Sequence, residues 1–317
     1  QYIERKMAVI TKNNHYRFGY DHVNNCQFRR PEDSNYTLEF GKCDRKVLPF
    51  YQEALATARL VKEHAGTQQI WLSCSGGIDS EFMARCFLQE GISFKVLNAK
   101  FKYGYNKYDQ EHLYRFIQKY NLDCTTIEIN IENFLDTELL AYADATQSVS
   151  PQFPVNMKLW DAVDGYIVSG HGDPIIRRVP YTKDFFLQVQ EKEDAIFRYF
   201  LWRGRDGCPG FYNYTPEILL SFIMESEVSR MLLFGYNARV SHIAGTKEIV
   251  YSKSCDLAKR EAATGFEHIQ HLDSKYRTIL LERHSQASSV FKIPVNKLVD
   301  QLWPDCMTTE GGAKYLP

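Results

Sequence analysis

Residues 73–81, SCSGGIDSE, set two adjacent glycines, three serines and an aspartate between the apolar run Ile70-Trp71-Leu72 and a helix-like apolar stretch, Phe82 to Leu88. That combination suits phosphate. Adjacent glycines free the backbone to take positive φ and to come close to a ligand. Successive backbone N–H groups form an anion nest, and a following helix adds the positive end of its dipole. The hydroxyls of Ser75 and Ser80 complete a cradle with Gly76 and Gly77. Asp79 is the exception, because a carboxylate repels phosphate unless it holds an accompanying Mg²⁺ or caps the helix. The set points to a metal-bound pyrophosphate.

A second loop, Ser169-Gly170-His171-Gly172-Asp173-Pro174, also follows a short apolar run, Tyr166-Ile167-Val168. It offers Asp173 as a second metal ligand; a tight turn in which Asp173 satisfies backbone amides accounts for it equally. The usual nucleotide loops are absent. There is no GxxxxGK[ST], and Gly170-His171-Gly172 lacks a third glycine because Ile175 stands at that position. His268 and His271 could share a helix face with Glu267, but so isolated a pair caps or solvates a helix more often than it binds metal. In the stretch 197–214, aromatics alternate with Arg198, Arg203 and Arg205, as on a base-stacking surface. An aromatic core with solvated arginines explains it more simply, and leaves a nucleotide, DNA or RNA acceptor open.

The elements that must hold these loops are legible from periodicity. Tyr51, Ala54, Leu55, Ala58 and Val61 share a helical face, with Gly66 as the stop. Strands are expected over 69–74, 94–99, 124–131 and 166–168, and helices over 79–90, 109–120, 134–145 and 157–163. Such alternation predicts α/β architecture: a doubly wound parallel sheet that binds ligands beyond its carboxyl ends, at a topological switch point. Residues 1–46 read as an irregular or β-rich N-terminal lobe, 47–184 as the nucleotide domain and 185–317 as a mainly helical substrate or acceptor region. Residues 185–202 read as either hairpin or helix. Thr215-Pro216-Glu217 is a helix start, with an N-cap, a first-turn proline and an acid, and that helix is expected to run to about Phe234.

Composition adds bounds. The 317 residues carry 38 Lys+Arg against 39 Asp+Glu, so net charge supplies no case for general nucleic-acid binding. No apolar run approaches the roughly 18 to 20 residues of a membrane span, and the first residues lack the apolar core of a signal peptide. No membrane partner and a cytoplasmic location are the expectations. The eight cysteines form no CxxC pair and read as reduced core filler.

Residues 75–80 resemble the SGGxDS signature of the PP-loop ATP pyrophosphatases, which include asparagine synthetase, GMP synthetase, NAD synthetase and tRNA-modifying thiolases. At background frequencies the five specified positions would arise by chance on the order of once in several thousand chains of this length. The resemblance covers approximately residues 48–180 and implies an adenine-nucleotide α-hydrolase-like domain using ATP and Mg²⁺. By that likeness Ser75, Gly76, Gly77, Asp79 and Ser80 hold the β,γ-phosphates and metal, and backbone near Leu97 and Asn98 meets adenine. SGHGDP is similar to the S-G-E-G-x-D-E loop of asparagine synthetase-type enzymes, but His171 replaces the glutamate and Asp173 comes one residue early. Cations around the α-phosphate are sought in Arg177 and Arg178, and in Lys247, Lys253, Lys259 and Arg260. A solvated helix face would explain any one of them; Lys247 and Lys253 stand out in an expected loop rich in glycine and aromatic residues.

Within the family, the lack of CxxC favours amide or C–N bond formation over sulfur transfer, and Ile78 stands where sulfate-reductase relatives usually carry Lys. No glutaminase domain with a leading cysteine is expected ahead of the loop, so nitrogen would come from ammonia, an amine substrate or a separate amine-donating subunit; a homodimer is a further partner expectation. The rivals are a sulfurtransferase or reductase of the same family, acting on a nucleotide or nucleic acid, and an inactive nucleotide-binding protein.

Overall fold

In the computed structural model the described residues are 16–20, 36–178, 184–189, 191–226, 228, 244–258, 260, 264–284 and 291–304. An antiparallel pair, β1 (Tyr16–Tyr20) and β2 (Tyr36–Phe40), precedes helix α1 (Phe50–Ala65). Then β3 (Ile70–Ser73), α2 (Ile78–Gln89), β4 (Lys95–Phe101), α3 (Lys107–Tyr120) and β5 (Cys124–Ile129) alternate. Helices α4 (Ile131–Thr137), α5 (Leu139–Thr146) and α6 (Gln152–Trp160) lead to β6 (Tyr166–Ser169), followed by β7 (Ile175–Arg178), β8 (Phe185–Val189), α7 (Glu191–Arg203) and β9 (Gly207–Cys208). The last elements are α8 (Pro216–Met224), α9 (Ala244–Ser252), α10 (Gln270–Arg283), β10 (Phe291–Pro294) and α11 (Val295–Leu302).

The main sheet has five parallel strands in the order β5-β4-β3-β6-β9. The chain winds outward from β3 through β4 to β5, then crosses to β6 on the other side. The switch point therefore lies between the carboxyl ends of β3 and β6, where both glycine-bearing loops emerge. Successive side chains on a strand point to opposite faces. Ile70, Leu72, Val96, Tyr166 and Val168 accordingly enter one core with α1, α2, α3 and α8, while Trp71, Leu97 and Ile167 enter a second with α4–α7 and α10. Helices thus cover both faces, as buried parallel strands require.

Three expectations change in detail. Residues 185–202 hold both alternatives in series, a strand and then a helix: β8 pairs antiparallel with β7 and β10, and α7 buries Tyr199 and Phe200. The helix expected over 134–145 is two, because Glu138, at φ −120°, breaks the turn between them. The helix opened by Thr215, whose hydroxyl accepts from the Ile218 amide, ends at Met224, and 229–243 lie outside the described residues.

The boundary expected at 184 marks no break in packing. β9 supplies the fifth strand of the sheet, β7 and β8 pair across the boundary, and Phe211, Tyr212, Ile218, Leu219 and Phe222 belong to the same core as Phe82 and Phe87. Strand β6 has an edge that only the later segment covers. Among the described residues no helix is long and apolar enough to cross a membrane.

Candidate functional site

The chain leaves β3 through Ser75, exposed, and Gly76, buried. Gly76 takes φ 102°, and a Cβ on it would lie 2.0 Å from the Asp109 carbonyl oxygen at the start of α3. Only glycine fits. Gly77 differs from expectation: at φ −70° and ψ 160° it is the extended N-cap of α2, and a Cβ there would meet only the Ser75 hydroxyl, at 3.4 Å. The close approach therefore rests on Gly76. Both hydroxyls turn into the loop, since the Gly77 amide donates to Ser75 Oγ at 3.2 Å and Ser80 Oγ donates to the Gly77 carbonyl at 3.0 Å. The second loop lies directly against this turn. Gly170 permits it, for a Cβ there would sit 3.3 Å from the Ser80 Cα. Gly172, at φ 88°, leaves room for Asn213, and the His171 carbonyl accepts from the Tyr212 amide.

Asp79 and Asp173 meet on one cation. Lys247 Nζ donates to Asp79 Oδ2 at 2.7 Å and to Asp173 Oδ2 at 3.2 Å. Burial, and next the Asp173 carboxylate, push the Asp79 pKa up; Lys247 and Tyr251 oppose them. Burial works against the lysine ammonium, but Asp79 and Asp173 outweigh it and hold Lys247 above the ordinary lysine range. Two tyrosines complete the setting of Asp79: Tyr251 donates to Oδ1 at 3.0 Å and Tyr212 to its backbone carbonyl at 2.6 Å. Tyr212 and Tyr251 stack on each other at 5.6 Å, and Tyr251 stacks on Phe82 at 4.4 Å. The acid is thus bolted to the aromatic core.

Asp79, Asp173 and Lys247, with Ser75, Gly77 and Ser80, line a cavity of about 490 Å³, together with Ser73, Ala99, Phe101, Asp109, Asn156, His171 and Phe266. Leu97 and Asn98, both fully buried, do not line it. The Leu97 carbonyl accepts from the Cys74 amide, and the fully buried Asn98 side chain exchanges amide hydrogen bonds with Gln110 at 2.7 and 2.9 Å. At this end of β4 it is Ala99 and Phe101 that reach the cavity.

The other cations are dispersed. Lys253 is tied to Glu225 at 2.7 Å and to Ser226, outside the cavity. Ile175 and Ile176 reach the cavity wall, whereas Arg177 and Arg178, on the same strand, do not. Lys259 lies outside the described residues. Arg260 is buried behind the loop, donating to the Gly76 carbonyl and to Glu81 at 2.5 Å, while Glu81 also accepts from Arg85. It braces the cradle from the rear. Lys247 belongs to helix α9 rather than to the loop expected there, which puts Tyr251 four residues on, along the same face. That spacing was the available signal for Tyr251. Nothing comparable marked Tyr212 or Asp109.

The remaining motifs have local partners. Glu267 accepts from the Thr264 amide and hydroxyl, and His268 stacks on Tyr105. Arg203 pairs with Asp161 and lies 3.7 Å over Trp202, and Arg205 donates to the carbonyls of Trp160 and Val163. The 197–214 stretch is core with internally paired arginines.

The Asp79–Asp173 corner could hold a hard divalent cation. Two carboxylate oxygens already converge on a single positive atom, and Mg²⁺ is held by one or two carboxylates with substrate phosphates and water filling the rest. Among the described residues no group of three or more His, Cys, Asp or Glu offers an all-protein cage. No protein-family model and no curated protein matches the chain.

Proposed function

We propose that the chain is an Mg²⁺-dependent ATP pyrophosphatase that forms AMP and pyrophosphate while making an amide or C–N bond. One observation carries this reading: Asp79 and Asp173, from separate loops, share the Lys247 ammonium at 2.7 and 3.2 Å beside the amide end of α2. A substrate oxygen would attack the α-phosphorus, the bond to the bridging oxygen would break, and pyrophosphate would leave with that electron pair toward Ser75–Ser80. An amine then displaces AMP from the activated carbon and gives up its proton. Bound Mg²⁺ supplies charge to neutralise the departing phosphates. Lys247 keeps the two carboxylates together, Tyr251 and Tyr212 hold Asp79 still, and Arg260 steadies Gly76, so the site is organised before substrate arrives.

Cys74 favours this over sulfur transfer. It is the one cysteine on the cavity wall among the described residues, and burial, followed by Cys124 and Glu81, pushes its thiol up, away from the thiolate that sulfur chemistry needs.

The test is AMP and pyrophosphate release from ATP and Mg²⁺ across ammonia and a panel of primary amines. Asp79→Ala is expected to abolish release, with thermal unfolding still cooperative. Wild-type turnover in that variant would sink the role of Asp79. Intact ATP binding without release by the wild type would leave a nucleotide-binding protein, and a product that depends on a persulfide would reinstate sulfur transfer.

A further inference from the structure

Asp109 stands at the third position of α3 and lines the same cavity, with only 7% of its surface exposed. An acid so placed ordinarily reaches back to the N-cap amide. Here it does not: the carboxylate makes no hydrogen bond among the described residues, and neither oxygen is sealed off from the cavity. Its charged neighbours are occupied elsewhere. Arg260 is committed to the Gly76 carbonyl and Glu81, and Glu267 to Thr264. Asn106 spends its amide on the Phe101 amide and the Ala99 carbonyl, at 2.9 and 2.8 Å. On the wall of the same cavity, Phe101 and Phe266 meet edge to face at 6.1 Å. Gly265, at φ 83°, allows that closure, since a Cβ on it would lie 2.9 Å from the Phe101 ring.

A mostly buried carboxylate to which no protein group donates is retained at a cost, and a group that would relieve it is a cation carrying N–H donors. Aromatic rings alongside suit an ammonium with an alkyl stem. We infer that Asp109, with Phe101 and Phe266, forms the docking point for the ammonium group of a primary amine, the nitrogen donor of the proposed reaction. The inference deepens the ATP-dependent reading by naming the class of its nucleophile, and rests on that reading for the donor role alone. The cavity would then serve two groups: the Asp79–Lys247–Asp173 corner would take metal and phosphate, and Asp109 the amine. Burial, opposed by Arg260 and reinforced by Glu267, pushes the Asp109 carboxyl up to about 6. Asp109 takes one proton as the ammonium becomes the free amine, and the second, released after the amine has attacked, leaves to solvent.

The experiment reads occupancy rather than turnover. In protein labelled with ¹³C at aspartate carboxyls, the Asp109 resonance is assigned by its loss in Asp109→Asn and titrated with and without n-butylammonium. The expected result is a midpoint lowered by at least one pH unit by n-butylammonium and unmoved by n-butyrate, with Mg-ATP affinity unchanged in Asp109→Asn. An unmoved midpoint overturns the site. So does a tenfold loss of Mg-ATP affinity in the variant, which would assign the carboxylate to the nucleotide. A shifted midpoint in a protein that releases no pyrophosphate with any amine would keep the amine site and remove the ATP reading.

Discussion

A carboxylate that is mostly buried and accepts no protein hydrogen bond lowers stability wherever it is ionised, and Asp109 makes that measurable. Its folded value of about 6 lies above the roughly 3.9 of an unfolded aspartate. Below pH 4 both states carry the proton and nothing is lost. Between pH 4 and 6 the unfolded chain releases the proton first, so stability falls as pH rises, by about 3 kcal/mol in full above pH 6. Asp109→Asn removes that dependence and leaves instead the pH-independent cost of burying a neutral amide, about 1–3 kcal/mol. Denaturant unfolding of both proteins at pH 4 to 8 should therefore show the wild type losing ground steadily from 4 to 6 and holding a constant offset beyond. Parallel curves throughout would mean that the carboxylate is solvated. The sequence did not announce this residue: an acid in a first helical turn is ordinary, and only the backbone of Gly76 against it, with Arg260 and Glu267 already engaged, makes it exceptional.

At the scale of elements, the β3–α2 turn divides its labour unequally between its glycines. Gly76→Ala must drive a Cβ into the Asp109 carbonyl at positive φ, so a loss of roughly 2 kcal/mol or more is expected, read as a lowered unfolding midpoint. Gly77→Ala adds a methyl in ordinary contact at φ −70°, so stability should stay within about 1 kcal/mol, while under the proposed function ATP affinity should fall, since the methyl would stand where the phosphates approach. Equal stability losses would contradict the geometry. The turn and its flanking strand and helix were legible because apolar Ile70–Leu72 and Phe82–Leu88 bracket a polar, glycine-paired stretch. Lys247 was picked out for its type but expected in a loop, since Gly245 and Tyr251 obscure the helical period of α9. Lys253, of the same type and six residues on, is tied to Glu225 instead. Residue type finds a candidate, and only packing separates the two.

Across the whole molecule, the site belongs to no single segment. A chain limited to 41–184 would lack β9, α8 and α9 and would expose the faces that Phe211, Tyr212, Phe222 and Tyr251 cover. It is expected to show no cooperative unfolding by circular dichroism; a sharp transition would establish the earlier segment as an independent unit. The parallel sheet was readable from alternating elements, but not the return of a later strand to pair with β6, because Gly207-Cys208 is too short to carry a pattern. The same long reach has a consequence in time. Asp79 meets Lys247 and Tyr251 across 168 and 172 residues of chain, and contacts so distant must await the closure of a very long loop. During synthesis the loop at 75–80 emerges long before the lysine and tyrosine that meet it. A nascent chain can display the whole SGGIDS sequence while Asp79 still lacks both partners, so this corner is assembled only after residue 251 has emerged.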